Sequence, residues 1–527
     1  MTGRLYLGLN VIIVGLTLII SSCTRTSPCP EDVSGVLSDA GDNAAQLRQV
    51  LEHYKTDPDT LKLAAAHFLI GNMQGHCYVT YYLHDSTDQE IDLDVLSFET
   101  YDKLLETLDS LESEKGTLDF DRDTLIYDKD IITADYLINQ IDLAFEAWRH
   151  KPWAGNLSFN NFCNYVLPYR GSNEPLEDWR RYFMEKYADI ESRMKDSTDP
   201  IEAAAIINND IRAWFRFDRR FYLHPTDLGL KEMLDHKMGR CEDMTNITIY
   251  AFRANGLAVT SDYTPYWANA GNNHAWNAIV TADGRVIPFM GAESNPGDYH
   301  LAYKLAKVYR KTFAEQKDNL TFQTKKQEAV PGWLAGKSYL DVTRDYIPVV
   351  NYTFLFDETA PDSIDIAYIC VFNSGEWKAI DWARIEDSNG LNIAYFTDLG
   401  KDIIYLPGLY LDKSIVPCGA PVLLGDTTAR FAADTINTVT LRLTETTTME
   451  HAPSTDGVAR VKLTPGVEYE LLFWNNNEWQ SFGKKTAGTG PLVFEKVPSG
   501  TLYWLVAEEK DREERIFYWN GTDARWL

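Results

Sequence analysis

The period of the hydrophobic pattern changes twice along this chain, and that change limits the folds open to it. Between about 37 and 198, apolar residues recur at helical spacing, as in Leu47-Val50-Leu51-Tyr54 and Leu137-Ile141-Ala144-Phe145-Trp148. From about 200 to 335, helical and strand patterns alternate. Beyond Gly332-Trp333 and Gly336 the sequence is strand-rich, with turn signals roughly every ten residues. At 527 residues the chain also exceeds the roughly 250–300 at which one core stops growing. An α+β protein of several domains is predicted: a helical region over 37–198, a mixed core over 199–335 and β-sandwich-like modules after it.

The strand-rich part repeats itself. Tyr368-Ile369-Cys370-Val371-Phe372 followed by Glu376-Trp377 recurs as Tyr469-Glu470-Leu471-Leu472-Phe473 followed by Glu478-Trp479, aligned with one extra residue in the second turn. Phe396, Gly400 and Tyr405 parallel Phe494, Gly500 and Tyr503. Two copies of one β module are expected, over 345–430 and 431–527. They would brace or space the core, or bind carbohydrate or peptide, and would be dispensable for its chemistry.

The N-terminus reads as an address. Arg4 precedes an apolar run from Leu5 to Ile20, which ends in Ile20-Ser21-Ser22-Cys23 and turns polar at Thr24-Arg25-Thr26. This resembles a bacterial lipoprotein signal over 1–22, with Cys23 as the lipidated residue and 23–36 as a linker. A soluble body tethered to the cell envelope by lipid, at the outer membrane on its periplasmic side or, alternatively, exposed at the surface, is the expectation. The net charge of −27 disfavours nucleic-acid partners. The remaining cysteines are widely spaced with no CxxC pair, so neither a metal site nor a disulfide framework is expected, and no cofactor is implied.

One cysteine stands out by its surroundings. Gly239-Arg240-Cys241-Glu242-Asp243-Met244 opens a helix predicted to run to about Ala254 and to stop at Asn255-Gly256. At a helix N-terminus, unpaired N–H groups and the dipole favour the thiolate, the nucleophilic form of cysteine. Strand-like sequence follows, then His274-Ala275-Trp276-Asn277-Ala278-Ile279-Val280, a turn at Asp283-Gly284 and a return through Val286, Ile287 and Phe289. This predicts a β-hairpin with His274 and Trp276 on one face. A histidine there is placed to take the thiol proton and return it to a leaving group.

A helix-starting Gly-x-Cys, then His-x-Trp at a strand start, then a glycine turn and a second strand, resembles the transglutaminase-like superfamily. It is most similar to its lipoprotein-borne members in Bacteroidales-type bacteria. The resemblance implies a papain-like core in which Cys241 attacks an amide or peptide carbonyl, His274 serves as base and acid, and an acyl-thioester goes to water or an amine. Substrates would be peptides, proteins or glycopeptides, with Trp267, Asn269 and Trp276 shaping the cleft. The alternative is a degenerate envelope protein that binds glycan or peptide.

One feature departs from that family. Its acid is expected about sixteen residues after the histidine, which lands on Met290, and without it the imidazole lacks the group that fixes its tautomer. If Asp283-Gly284 are the two loop residues of a regular hairpin, His274 lies opposite Glu293 with Cβ atoms ~5 Å apart, which would put the carboxylate within reach of the imidazole. Gly291 and Pro296 are positions at which that register could break, leaving Glu293 a solvated loop residue.

Overall fold

The computed structural model describes residues 33–527, apart from 225, 325–328, 357–363, 449–457 and 508–513. Cys23 and the expected signal segment lie outside the described residues. Among those described, no helix is long and apolar enough to cross a membrane.

The N-terminal part is built from capped amphipathic helices. Thr133 caps Ala134–His150 by accepting the Tyr136 N–H at 3.2 Å, and Asp199 caps Pro200–Arg212 by accepting the Ile201 N–H at 2.8 Å. Pro200 stands at the first helical position, where its missing N–H costs nothing. One sheet interrupts the expected helical region: Cys77–His84 pairs antiparallel with Asp119–Tyr127 and with Glu90–Ile91. Its first strand, Cys-Tyr-Val-Thr-Tyr-Tyr-Leu-His, is rich in β-branched and aromatic residues that suit a pleated surface.

The mixed core is a five-stranded antiparallel sheet in the spatial order Tyr339–Asp341, Tyr309–Lys311, Val259–Thr264, His274–Val280, Val286–Phe289. The helix Cys241–Ala254 packs on it, with Phe252 stacked on Phe289 and Asn277 donating to the Thr245 carbonyl at 3.3 Å. On its other side Tyr250 stacks on Trp179 of the helix Trp179–Lys186. Every residue from Asp243 to Ala254 is therefore buried. One hydrophobic cluster runs from Val36 to Phe313, so the N-terminal helices and this sheet share a single core.

The repeat is visible in the strands. Ile366–Asn373 pairs with Glu376–Ser388 through a bulge at Ile369/Cys370, and Glu468–Asn475 pairs with Glu478–Thr486 through a bulge at Leu471/Leu472. The connecting turns, Ser374-Gly375 and Asn476-Asn477, each have two residues and positive φ throughout, which is the type I′ geometry of tight hairpins. The offset is thus 102 residues along both strands, and the expected extra turn residue does not exist. Phe372 corresponds to Trp474, not to Phe473. Tyr405 donates to the Gly400 carbonyl and Tyr503 to the Pro498 carbonyl, a second matched pair of anchors.

The repeated strands pack against each other over rings: Phe372 lies 5.2 Å from Trp504 and 5.8 Å from Trp479, and Trp377 lies 5.8 Å from Trp474. They also pack on the core sheet. Tyr263, Tyr309, Leu334 and Tyr339 join Tyr368, Cys370, Leu472 and Trp504 in one cluster. Lys307, only 1% exposed, is held between Asp341 and Asp381 and donates to the Thr397 carbonyl at 2.7 Å.

Candidate active site

Cys241 is the first residue of its helix. The Asp243 carboxylate reaches back to the Arg240 N–H at 2.9 Å, satisfying a donor that the helix start would leave orphaned. Gly239 is required there, because a Cβ at that position would stand 2.6 Å from that of Asp243. Arg240 is fixed by Asp227 at 2.5 Å and by the His224 carbonyl, while Glu242 pairs with Lys311 on the neighbouring strand.

His274 opens its strand opposite Thr264. Trp267 stacks on the imidazole with ring centroids 5.7 Å apart, and Nε2 shares a hydrogen bond of 2.6 Å with the Tyr299 hydroxyl. Burial, then the charges of Glu293 and Cys241, raise the Tyr299 phenol. Thiol and imidazole make no hydrogen bond with each other, and nothing among the described residues holds Nδ1.

Residues 188–289 match the family model described as the transglutaminase-like superfamily. The core is transglutaminase-like. No curated protein matches the sequence. Among solved structures, the crystal structure of red sea bream transglutaminase is similar at 8% identity, over 88% of this chain and 78% of that one, with a TM-score of 0.19. That likeness is too slight to bear on fold or chemistry.

In this transglutaminase-like core the expected third member is displaced. Strand pairing runs Val280↔Val286 to Asn277↔Phe289, and Thr281 and Arg285 close a three-residue loop of Ala282, Asp283 and Gly284, the last at φ 83°. A loop one residue longer than assumed shifts the register by one, which moves every partner to the other face. Position 292, an alanine, would then oppose His274, but the strand has already ended at Phe289. Met290 turns back onto Ser294, Gly291 is pressed against Thr248 and Asn277, and Ala292 is left-handed at φ 60°. Glu293 is exposed and makes no hydrogen bond to His274. Its carbonyl accepts from Arg212 at 3.0 Å, and partial burial raises its carboxyl. Met290, at the family's acid position, lies in the hydrophobic core.

The three residues expected to shape a cleft are also differently placed. Trp276 is fully buried, donating to the Tyr346 hydroxyl at 3.1 Å, and has no face for a substrate. Asn269 is buried and accepts the Lys304 N–H at 2.6 Å. Trp267 is buried between His274 and Tyr303. Asn269 and Trp267 border a cavity of about 220 Å³ on the side of the C-terminal strands, with Arg515 in its wall. Tyr299, in an irregular segment, and Tyr222, in the short 3-10 helix Arg219–Leu223 with its phenol raised by burial and by Cys241, escaped sequence reasoning because neither segment has a period to place them.

The resting electrostatics run against a preformed ion pair. Burial and then Glu242 push the Cys241 thiol up to about 11, outweighing the helix-terminal N–H groups expected to depress it. Burial lowers His274 to about 4. A depressed histidine contributes stability that is complete above its ordinary value near 6.5 and is lost as pH falls towards 4, at most about 3 kcal/mol. Burial raises the Asp243 carboxyl to about 7, and its contribution is lost in the opposite sense, as pH rises. The two slopes offset each other in the whole protein. The expected result is therefore a difference: the stability gap between wild type and His274→Gln in urea unfolding should widen from pH 4 to 6.5. A constant gap would place the imidazole in water.

Proposed function

We propose that the protein is an exported, lipid-anchored cysteine hydrolase of amide or peptide bonds, working through an acyl-thioester. The observation that carries this reading is the hydrogen bond between strand-opening His274 and the Tyr299 hydroxyl, in a core whose transglutaminase-like segment also places Cys241 at a helix start. Tyr299 on Nε2 leaves Nδ1 for the thiol proton and takes the orienting part that an acid would play. The thiol sulfur bonds to the carbonyl carbon while its proton passes to His274. His274 returns that proton to the departing amine, and water then cleaves the thioester to a carboxylate.

Screening a peptide and glycopeptide library should show turnover in wild type and none in Cys241→Ala. Tyr299→Phe should reduce kcat with little change in KM, and by less than the ~10⁴ that loss of a triad carboxylate costs, because a phenol stabilises imidazolium more weakly. Wild-type turnover that persists in Cys241→Ala would end the proposal. A second reading, a degenerate envelope protein that binds glycan or peptide, is favoured by the absence of a carboxylate on His274 among the described residues. Ligand binding unaffected by Cys241→Ala, without turnover, would support it.

Anchoring rests on Ile20-Ser21-Ser22-Cys23. Cys23→Ser should leave unprocessed or mislocalised protein. A processed, lipid-labelled Cys23→Ser product would rule the anchor out.

A further inference from the structure

His274 is delivered by the loop from Pro265 to Asn273, between the strands Val259–Thr264 and His274–Val280. Backbone carbonyls in such a loop need donors when water is excluded. Here the donors come from far along the chain. Asn373 Nδ2 lies 3.0, 2.9 and 2.9 Å from the carbonyls of Trp267, Ala270 and Asn272, and Ser374 Oγ accepts the Asn272 N–H at 3.3 Å. From the second β unit, Arg515, just before the strand Ile516–Trp519, donates to the Ala268 carbonyl at 2.6 Å and to that of Ala270 at 3.3 Å. Its remaining donors take the Phe372 carbonyl and a main-chain oxygen of Leu527.

Arg515 is an expensive way to hold two units together. It is 4% exposed, and burial lowers it to about 9. Well-packed apolar residues commonly hold such junctions at least as firmly as a buried charge. What the guanidinium adds is a rigid fork of five donors that can fix several carbonyls at once.

We infer that both C-terminal β units complete the Cys–His site, with Asn373 and Arg515 as positioning residues that fix the backbone delivering His274. The inference rests on the reading of His274 as the working base. The repeat supplies an internal control. Asn475 occupies the position equivalent to Asn373, but its amide donates to Gln480 within its own hairpin. A role in hairpin stability alone would make the two asparagines equivalent. A positioning role would not.

The test uses the full chain and follows the His274 titration by NMR of histidine-labelled protein, alongside thermal unfolding. Asn373→Ala and Arg515→Lys should move the His274 pKa from about 4 towards 6.5 and change the pH profile of Cys241 alkylation, while Asn475→Ala leaves both unchanged. Should Arg515→Lys fail to fold, Asn373→Ala decides alone. An unshifted His274 titration in folded Asn373→Ala would overturn the inference, as would an equal shift in Asn475→Ala. Because the titration needs no turnover, a shift in a protein that hydrolyses nothing would uphold the clamp and reject the hydrolase reading.

Discussion

A chain ending at residue 340 is expected to aggregate rather than yield a soluble core. Truncation there would strip the cover from Tyr263, Tyr309, Leu334 and Tyr339, which pack against the repeated strands. At roughly 1.5–3 kcal/mol for each large side chain, re-exposing them costs about 6–12 kcal/mol, which is comparable to the whole stability of a domain. Lys307 would lose both Asp341 and Asp381, and Tyr309 would lose its hydrogen bond to the Ile380 carbonyl. Gly400, where a Cβ would collide with the Leu305 carbonyl, shows how closely the backbones approach. The pattern that suggested dispensable modules is a property of each strand, whereas dispensability depends on what the strands cover. Soluble fraction and the sharpness of thermal unfolding measure the outcome, and a monomeric, cooperatively folding 33–340 fragment would refute it.

The second large effect concerns the thiol. With Cys241 held up at about 11, its thiolate fraction at neutral pH is roughly 300-fold below that of an ordinary cysteine near 8.5. A more basic thiolate is intrinsically more nucleophilic, by about tenfold over this interval. Alkylation by iodoacetamide at pH 7 should therefore run roughly 30-fold slower than for a free cysteine, and should climb beyond pH 10. Fast alkylation below pH 7, on a plateau, would instead mean that thiolate and imidazolium are already paired in the resting enzyme. Slow resting alkylation is compatible with turnover if substrate binding excludes water and brings Nδ1 to the thiol, so the two measurements are independent.

Legibility followed the range of the interactions. The helix over Cys241–Ala254 could be read because its cues are local: Gly239, the acidic first turn and Asn255-Gly256 at its end. The His274–Phe289 hairpin was equally visible in its apolar alternation and its glycine. The length of its loop was not, because Asp283-Gly284 fits a two-residue turn as well as the last two positions of a three-residue one. Thr281, bonding both Asp283 and the Arg285 carbonyl, selects the longer loop. The longer loop and the end of the strand at Phe289 together move Glu293 off the imidazole. In the repeat, ring-rich strands offered two alignments one residue apart, and only the paired bulges and turns distinguish 101 from 102.

The sequence by itself determined the helix that presents Cys241, the strand that presents His274 and the doubling of the C-terminal strands, since each follows from periodicity and turn chemistry within a few residues. Tertiary structure alone decided that Tyr299 rather than a carboxylate meets the imidazole, that Trp276 and Asn269 are walled in, and that Asn373 and Arg515 hold the loop before His274. Those outcomes depend on which surfaces exclude water. Exclusion of water pushes the thiol up to about 11 and the imidazole down to about 4, and the loop before His274 is held by partners 101 to 247 residues away, which no local pattern encodes.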